Sequence, residues 1–366
     1  MKKIALISNS FISLYNFRYE LIHELLKEYD VTLVCPMSEK DYTQFDEYRK
    51  KGCHVRETEL KRRGKNPFAD MLLFRQYVRI LGEIRPDLVI TYTIKPNIYA
   101  GRAAHKLGIP YFINVTGIGV AFEKEGILKA ITTGLYRKPY KDARKVFFQN
   151  NSNKEIFHAA GLVNANEHIV PGSGINLNKF ALCDYTGECA DTFIYIARLQ
   201  RAKGTGEFLN AACRIRKERP ESKFIILGQM EEPFEDEVNR LTAMGGANYY
   251  GWQDTPIEYI RRAGCMVNPS YHEGMSNVCL EASAMGRVVI ASNIPGCREI
   301  VEDNVTGFLV EPQDEESLYR EMIHFLDMDI DSKRRMGMAG RAKIEAEFDR
   351  NKVIEIYKSC ISDVIG

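Results

Sequence analysis

Short β-rich runs alternate with helical stretches along the whole chain, and this alternation constrains the fold more than any other feature of the sequence. The runs are rich in Val, Ile, Leu and aromatic residues, and the stretches between them have helical periodicity. Strands are predicted at 3–8, 30–36, 54–60, 88–93, 111–116 and 145–150, and again at 192–199, 223–228, 247–251, 265–269, 288–292 and 307–310. This order predicts α/β architecture, with parallel sheets covered by helices on both faces.

A stretch rich in turn-forming residues separates the two series of strands. It runs from 169 to 178, contains Pro171, Gly172 and Gly174, and is followed by a polar segment that extends to 191. We therefore predict two Rossmann-like domains, over 1–170 and 171–349, whose parallel sheets face one another across a cleft. The pattern of the last helix, at about 350–366, does not by itself assign it to either domain.

The net charge of +1 conceals an asymmetry between the two halves of the chain. Residues 1–172 carry 27 basic and 18 acidic side chains, whereas residues 173–366 carry 23 and 31. The basic excess is concentrated at 49–65 and 124–145. The second stretch places Ile127, Leu128 and Ile131 at helical spacing among its charges, so it is either a helix that lies on an anionic membrane surface or a solvated helix packed on its own domain.

Several classes of protein are disfavoured by composition. The nine cysteines form no CxxC pair and no zinc spacing, which favours a reducing compartment. No apolar run reaches the roughly 18 residues that span a bilayer, and the first run is too short for a signal peptide. The basic stretches lack the interleaved aromatics of a nucleic-acid reader. We expect a cytoplasmic protein, either soluble or peripheral to a membrane.

Two glutamates lie eight residues apart where a buried strand leads into a helix, in the segment Tyr-His-Glu-Gly-Met-Ser-Asn-Val-Cys-Leu-Glu-Ala at 271–282. If the helix begins near Ser276, then Glu273 lies in the loop and Glu281 lies on the second turn, so both carboxylates can reach one ligand. Backbone N–H groups at 275–277 would face an anion. The alternative is a capping glutamate and an unrelated surface glutamate.

A basic loop follows the first predicted strand of the second domain. It reads Ala-Arg-Leu-Gln-Arg-Ala-Lys-Gly at 197–204 and contains Arg198 and Lys203. An arginine grips a diphosphate with two hydrogen bonds and a lysine supplies a compact charge, so the two together would neutralise a diphosphate leaving group. The alternative is an ordinary basic loop at a strand end.

The spaced motifs of the second half resemble those of glycosyltransferase family 4, the retaining enzymes of GT-B architecture. They are Gly-Ser-Gly-Ile-Asn at 172–176, the loop at 197–204, the segment from Ser270 to Ala282, Gly286, Gly296 and Gly-Phe-Leu-Val at 307–310. In the first half, segments at 15–18, 93–97 and 114–119 are similar to the branch that builds bacterial capsular, exopolysaccharide and O-antigen repeat units on polyprenyl diphosphate.

The resemblance implies roles for particular residues. Arg198, Lys203 and Glu273 would form the catalytic group, which binds the diphosphate and holds the transferring sugar. Glu281 would accept hydrogen bonds from the ribose. Trp252, the single tryptophan, is equally well interpreted as a core or rim aromatic. The remaining residues expected to bind the sugar nucleotide are Gly174, Trp252, Gln253, Gly274, Met275, Ser276 and Asn277. In this family a late helix returns to the first domain, which places 350–366 there.

Acceptor binding is expected in the first domain. Arg18 and Lys95 are candidates for the lipid diphosphate, and Thr116 and Gly117 for the wall of the cleft. Arg18 could instead pair with a glutamate on its own helix, and Lys95 could be a loop charge. Many relatives carry a histidine where this chain has Thr116-Gly117, so no general base is assigned. The glycine-rich loop that usually follows the first strand is replaced by Asn-Ser-Phe-Ile-Ser at 9–13.

The sequence therefore predicts a retaining hexosyl- or N-acetylhexosaminyltransferase. Its expected substrates are a UDP-linked sugar and a polyprenyl-diphosphate-linked saccharide, at the inner face of the cell membrane. No cofactor and no metal are expected, because no Asp-x-Asp site lies in a suitable loop. Two alternatives remain: a sugar-nucleotide epimerase of the same architecture, and a non-enzymatic subunit that binds a nucleotide sugar.

Overall fold

The computed structural model describes residues 1–59, 67–118 and 126–366, and its contacts divide the chain into two units. The first unit comprises residues 1–173 and 351–366, and the second comprises residues 174–350. The boundary predicted from turn formers lay at 170–171. Residues 60–65 of the first basic stretch, which include the end of the strand predicted at 54–60, lie outside the described residues. So do Lys124 and Glu125 of the second basic stretch and Gly119 of the 114–119 segment.

The described part of the first unit contains a parallel sheet with the strand order β3-β2-β1-β4-β5-β6-β7. Alternate side chains of its strands enter opposite cores: Ala5 and Ile7 pack on one face of the sheet, Ile4 and Leu6 on the other. A parallel sheet buried on both faces requires such continuous apolar strands. The strands are β1 Lys3–Ile7, β2 Asp30–Cys35, β3 His54–Glu57, β4 Leu88–Tyr92, β5 Tyr111–Val115, β6 Lys145–Phe148 and β7 Glu167–Ile169.

Helices cover both faces of this sheet. One face is packed by α3, α4, α5, α6 and a π-helical turn, and the other by α1, α2 and α13. The helices are α1 Phe11–Leu25, α2 Glu39–Arg49, α3 Pro67–Ile84, the π-helix Pro96–Ala100, α4 Gly101–Lys106, α5 Ile127–Asp142, α6 Asn151–Ala159 and, at the end of the chain, α13 Arg350–Ile365. The tyrosine of α13, Tyr357, stacks on Phe147 of β6, which ties the end of the chain to the first sheet.

The second unit contains another parallel sheet among its residues, with the order β10-β9-β8-β11-β12-β13. Its strands are β8 Thr192–Ile196, β9 Lys223–Leu227, β10 Ala247–Tyr249, β11 Cys265–Asn268, β12 Val288–Ser292 and β13 Gly307–Val310. Its helices are a 3₁₀ turn Arg201–Lys203, α7 Thr205–Glu218, α8 Glu235–Ala243, α9 Ile257–Arg261, α10 Asn277–Ala284, α11 Glu315–Asp327 and α12 Ile330–Glu347.

The two sheets confirm the predicted α/β class. The structure adds β7, an edge strand of three residues whose Glu-His-Ile sequence lacks an apolar run, so periodicity did not reveal it. In each sheet the strand order reverses once, between β1 and β4 and between β8 and β11. Ligands of open α/β sheets bind outside the carboxyl ends of the strands at such a reversal. The loops after these four strands are therefore the places to look for a site.

Candidate active site

Lys203 and Glu273 meet at the carboxyl edge of the second sheet. Lys203 ends the 3₁₀ turn that follows β8, and Glu273 lies in the loop that follows β11. These strands are neighbours at the reversal of strand order, so side chains 70 positions apart come together. The Lys203 ammonium lies 2.7 Å from a carboxylate oxygen of Glu273, and both side chains are about one-fifth exposed. A cation and a carboxylate are thus accessible to a ligand at the position predicted by the fold.

The two loops that carry this pair are packed backbone against backbone. Gly204 has φ +66°, and a Cβ atom on it would lie 2.1 Å from the carbonyl oxygen of Pro269. The Tyr271 N–H donates to the carbonyl of Ala202 at 3.0 Å. The hydroxyl of Tyr195 donates to the Lys203 carbonyl at 3.0 Å. Only glycine permits this approach at 204, and the approach fixes Lys203 relative to the Glu273 loop.

A buried polar cluster supports the Glu273 loop from below. The Asn268 amide donates to the Ser276 hydroxyl at 2.7 Å, and the Ser270 hydroxyl donates to the Asn268 side-chain oxygen at 2.9 Å. Gly296, with φ +86°, accepts from the Ser276 N–H at 2.9 Å. A Cβ on Gly296 would lie within 3 Å of the Glu273 and Gly274 carbonyls. Sequence reasoning missed the role of Asn268, although a polar residue at the end of an apolar strand can be recognised in the sequence.

Helix α10 begins where the sequence predicted. Ser276 is its N-cap in an extended conformation, and its side chain makes no capping hydrogen bond because the hydroxyl is bound within the Asn268 cluster. The positive end of the helix dipole lies beside the Glu273 loop. The side chain of Met275 is buried in the core of the unit, so any contact of Met275 with a ligand would come from its backbone.

Arg198 lies at the same edge but has its own carboxylate partner. One terminal nitrogen of its guanidinium donates to both carboxylate oxygens of Glu231, at 3.1 and 3.0 Å. Glu231 belongs to the loop after β9, and its N–H donates to the carbonyl of Leu199 at 3.1 Å. Sequence reasoning missed Glu231, because only the pairing of β8 with β9 brings the two loops together.

Glu281 has different cationic neighbours from Glu273. Desolvation by the surrounding protein raises the pKa of Glu281 to about 7, and the charges of Lys179 and Arg350 only partly oppose this. A carboxyl group with a pKa near 7 is partly ionised and partly protonated at neutral pH. The ionised form accepts hydrogen bonds from hydroxyl groups, and the protonated form can also donate one to them. Its place on α10 next to the helix start is the one predicted.

The Gly174 turn is anchored to the start of α13. Gly174 has φ +64°, and its carbonyl accepts a hydrogen bond from the Arg350 guanidinium at 3.0 Å. The Ile175 N–H donates to Phe348, and the Arg350 N–H donates to Ile175. These bonds hold the backbone that was predicted to approach a diphosphate.

The two residues predicted to flank a base have different surroundings. Trp252 is 55% exposed, and its indole nitrogen lies 3.4 Å from Asp254. The Gln253 amide donates to the Tyr250 carbonyl at 2.8 Å and accepts from the Tyr259 hydroxyl at 3.0 Å. Trp252 therefore presents its ring to solvent, whereas the amide of Gln253 orients the loop.

In the first unit, Lys95 forms an ion pair with Asp70. The Lys95 ammonium lies 2.8 Å from the Asp70 carboxylate, which also accepts from the Tyr99 hydroxyl at 2.9 Å. Thr116 and Gly117 follow β5 and are half-buried. Lys95, Thr116 and Gly117 thus follow two neighbouring strands, β4 and β5, at one edge of the sheet.

Arg18 is buried on α1. Its guanidinium lies 4.7 Å from the ring centroid of Tyr92, and one nitrogen donates to the Phe17 carbonyl at 2.8 Å. The guanidinium therefore has a stacking partner from β4, an interaction that the sequence did not indicate. Its predicted role in acceptor binding stays a prediction.

The asparagines of the two first-half segments form a buried network. The Asn97 amide donates to the Asn114 carbonyl at 2.9 Å and to the Tyr136 hydroxyl at 3.3 Å. The hydroxyl of Thr91 donates to the Asn97 oxygen at 2.8 Å, and the hydroxyl of Tyr357 donates to the Asn114 side chain. These residues hold the loops after β4 and β5 in place. Sequence reasoning missed this positioning role, which only the network reveals.

Across the described ranges, no group of three or more His, Cys, Asp or Glu side chains is arranged to hold a metal ion. Over the same ranges, no helix is long and apolar enough to cross a bilayer.

Two family models match the chain. One, described as glycosyl transferase 4-like, matches residues 3–150, and the other, glycosyl transferases group 1, matches residues 190–328. Each match falls within one of the two units.

Curated proteins are similar over most or all of the chain. The N,N'-diacetylbacillosaminyl-diphospho-undecaprenol alpha-1,3-N-acetylgalactosaminyltransferase of Campylobacter jejuni is 26% identical over 382 residues, which cover 99% of each chain. The UDP-Gal:alpha-D-GlcNAc-diphosphoundecaprenol alpha-1,3-galactosyltransferase of Escherichia coli is 27% identical and covers 70% of this chain and 71% of that one.

Solved structures share the fold at low sequence identity. Anabaena HepE in complex with UDP-glucose has a TM-score of 0.80 at 16% identity, with 99% of this chain and 100% of that chain covered. Staphylococcus aureus TarM has a TM-score of 0.76 at 12% identity, with 98% of both chains covered. At such identities the likeness concerns the fold alone.

Proposed function

Since the chain belongs to the family 4 glycosyltransferases and has their GT-B architecture, we propose that it moves a hexose or N-acetylhexosamine from a UDP-linked sugar to a saccharide carried on polyprenyl diphosphate. The observation that carries the proposal is the Lys203–Glu273 pair at the reversal of strand order in the second sheet. A diphosphate bound there would meet a cation that is held in place before the reaction.

The comparisons support the choice of substrates. Both relatives described above are named for transfer onto diphospho-undecaprenol intermediates, which supports a lipid-linked acceptor and a role in surface polysaccharide biosynthesis. The Escherichia coli relative is named for transfer from UDP-Gal, which supports a UDP-linked substrate. The epimerase and the non-enzymatic alternatives receive no such support, because the family models and both relatives are transferases.

Each residue of the candidate site receives a role in this proposal. Lys203 and Arg198 neutralise the diphosphate, and Glu273 orients Lys203 and the transferring sugar. Glu281 accepts from the ribose hydroxyls, and Trp252 stacks on the base beside Gln253. Backbone N–H groups at Gly174 and from Gly274 to Asn277 approach the phosphates. On the acceptor side, Lys95 and Arg18 meet the lipid diphosphate, beside Thr116 and Gly117.

The transfer proceeds with retention of configuration. The bond between the anomeric carbon and the phosphate oxygen breaks, and its electron pair remains on UDP. The acceptor hydroxyl oxygen forms the new bond on the face that UDP leaves, and its proton passes to the departing phosphate. This route needs no base from the protein and no metal, because the charge that develops on the diphosphate is met by Arg198 and Lys203.

We place the protein in the cytoplasm, peripheral to the inner face of the cell membrane. The acceptor of the proposed reaction is anchored in a bilayer, whereas a sugar nucleotide is dissolved in water. The enzyme must therefore work where the two phases meet.

A sugar-nucleotide screen with purified protein tests the proposal. UDP release would be followed with and without a polyprenyl-diphosphate-linked saccharide, and the configuration of the new linkage would be read by NMR. We expect UDP to be released from one UDP-sugar, and only when the acceptor is present. The new glycosidic bond should have the same anomeric configuration, axial or equatorial, as the bond to UDP in the donor. A new sugar nucleotide formed without acceptor, or UDP binding with no cleavage under any condition, would contradict the proposal.

A further inference from the structure

Arg350 is a buried arginine whose side chain binds a backbone carbonyl 176 positions away. It is 8% exposed, and its Nε and one terminal nitrogen donate to the Gly174 carbonyl at 3.3 and 3.0 Å. Gly174 and Arg350 are the first and last residues of the second unit. Burying a charge is costly unless the group forms hydrogen bonds, so these two bonds hold the guanidinium and the carbonyl in a fixed arrangement.

The backbone around these two residues is paired independently of the arginine side chain. The Ile175 N–H donates to the Phe348 carbonyl at 2.8 Å, and the Arg350 N–H donates to the Ile175 carbonyl at 3.0 Å. Ile175 and Phe348 are buried in one core cluster with Cys279 of α10. A substitution at 350 therefore removes the side-chain bonds to Gly174 and keeps the backbone bonds.

The charge of Arg350 also acts on Glu281, on the second turn of α10. Desolvation raises the pKa of Glu281 to about 7, and the charges of Lys179 and Arg350 oppose this rise. The elements that pack against α10 direct their charges elsewhere: Arg341 of α12 donates to a carbonyl at the other end of α10, and the carboxylate of Glu273 is paired with its own lysine. Strands β11 and β12, which also contact α10, contain no Lys, Arg, Asp or Glu.

Arg350 thus acts on two groups that the proposed function assigns to one ligand. The Gly174 backbone approaches the diphosphate, and Glu281 accepts from the ribose hydroxyls. These are neighbouring parts of a nucleoside diphosphate. Because the Arg350 guanidinium is buried against the Gly174 carbonyl, it acts on the ligand through these two groups and needs no contact of its own.

We propose that Arg350 is a positioning residue for the sugar nucleotide, which holds the Gly174 turn for the diphosphate and favours the ionised carboxylate of Glu281 for the ribose. This inference rests on the proposed function, which brings a nucleoside diphosphate to both groups. It gives one buried cation two separable effects, one on the backbone of the turn and one on the charge of the carboxylate.

The effect on charge depends on pH. Protonation of Glu281 weakens its acceptance of hydrogen bonds from the ribose, so the affinity for UDP should fall as the pH falls through the pKa of Glu281, about 7. Removal of a neighbouring cation raises the pKa of a carboxyl group. In variants that lack the charge of Lys179 or Arg350, the affinity should therefore begin to fall at a higher pH.

Titration calorimetry with UDP between about pH 6 and about pH 9 tests the two effects separately. Lys179→Gln removes an exposed charge, so it should bind UDP about threefold more weakly at pH 7 and equally well at the alkaline end. Arg350→Gln should show the same displacement of the profile together with a loss of affinity at every pH, because the Gly174 carbonyl is released. Arg350→Lys keeps the charge and should restore the profile.

Two control variants accompany this series. UDP itself gains a proton at about pH 6, so every profile is compared with that of Glu281→Gln, which lacks the carboxylate. Adding Lys179→Gln to Glu281→Gln should change nothing further. Arg341→Gln is the matched structural control: its side chain is 12% exposed and binds the Ala284 carbonyl, and its loss should leave the profile of UDP binding unchanged.

The outcomes distinguish this inference from the proposed function. Sugar transfer by a protein in which Arg350→Gln and Lys179→Gln leave the profile unchanged would overturn the inference and leave the function standing. An equal loss at every pH in Lys179→Gln that persists beside Glu281→Gln would also overturn it, because the cations would then act on the ligand directly. The expected displacement in a protein that transfers no sugar would uphold the role of Arg350 and refute the proposed function. Absence of UDP binding would refute both.

Discussion

Both cations of the candidate site are paired with carboxylates, and the two pairs differ in their exposure. The Lys203–Glu273 pair is largely shielded, whereas Arg198 and Glu231 are 45% and 24% exposed. An exposed ion pair contributes only about 0–1 kcal/mol to stability, so a bound diphosphate would readily displace the Glu231 carboxylate from Arg198. Lys203 is held in place by the Gly204 turn, and Arg198 by its carboxylate partner. The two cations should therefore respond differently to substitution.

Replacing Lys203 by alanine should lower turnover with little effect on folding. Loss of one preorganised group that stabilises the leaving charge costs about 2.7–4 kcal/mol of transition-state stabilisation, a factor of about 10²–10³ in kcat. The measurement is kcat at saturating sugar nucleotide, together with the thermal unfolding midpoint. Lys343→Ala is the matched control, because Lys343 is similarly exposed and pairs with Glu347. Near-normal turnover in Lys203→Ala would remove this lysine from the mechanism.

Replacing Glu231 by glutamine should tighten the binding of UDP. The carboxylate competes with a diphosphate for Arg198, and an exposed pair worth up to about 1 kcal/mol corresponds to a gain of up to about fivefold. Titration calorimetry with UDP measures the effect. Glu258→Gln, which breaks the exposed pair with Arg261, serves as the control. Weaker binding in Glu231→Gln would mean that Glu231 positions Arg198 instead of competing for it.

At the scale of elements, the site depends on loops that touch through their backbones. The 3₁₀ turn after β8 contacts the loop after β11 at Gly204, and the start of α10 contacts Gly296 in the same way. The Asn268 cluster beneath the second loop supplies hydrogen bonds that side-chain periodicity cannot reveal. The distance between Lys203 and Glu273 therefore depends on how the 3₁₀ turn after β8 packs against the loop after β11.

Gly204→Ala should therefore destabilise the second unit and lower turnover. An alanine costs about 1–2 kcal/mol in the left-handed region, and here its Cβ also meets the Pro269 carbonyl, so one loop must move. Gly245→Ala separates the two effects, because Gly245 has φ +75° but only an ordinary contact at 3.8 Å. Chemical denaturation and kcat should show a larger loss for Gly204→Ala. Equal losses in both variants would show that the close approach at 204 is unimportant.

At the scale of the molecule, the two units carry opposite charge. The first has 29 basic and 20 acidic side chains, and the second has 21 and 29. If the protein meets an anionic leaflet, as the proposed function requires, the leaflet would attract the first unit and repel the second. Although the second unit is acidic, Arg198 and Lys203 both lie at the carboxyl edge of its sheet, where a diphosphate is expected.

Activity should survive removal of divalent metal ions. In the proposed mechanism Arg198 and Lys203 supply the positive charge that stabilises the departing diphosphate, so turnover should stay within about twofold when EDTA is added. The assay compares turnover before and after chelation, with Mg²⁺ and Mn²⁺ added back. Strict dependence on either ion would contradict this proposal.

The sequence by itself determined the α/β class, the two series of strands and the helix start at Ser276. These features depend on periodicity and on local turn formers, which act over a few residues. The family motifs likewise identified a glycosyltransferase, which the comparisons confirm. The roles assigned to individual site residues stay predictions.

Tertiary structure alone decided which loops meet. The Lys203–Glu273 contact spans 70 positions and exists because β8 and β11 are neighbours, while β9, which lies between them in sequence, is on the other side of β8. The same ordering pairs Arg198 with Glu231. Asn97, Asn114 and Tyr357 join three distant segments in one buried network. Strand order is set by the packing of crossover helices over the whole sheet, and the local hydrophobic pattern of a strand does not indicate which strands will be its neighbours.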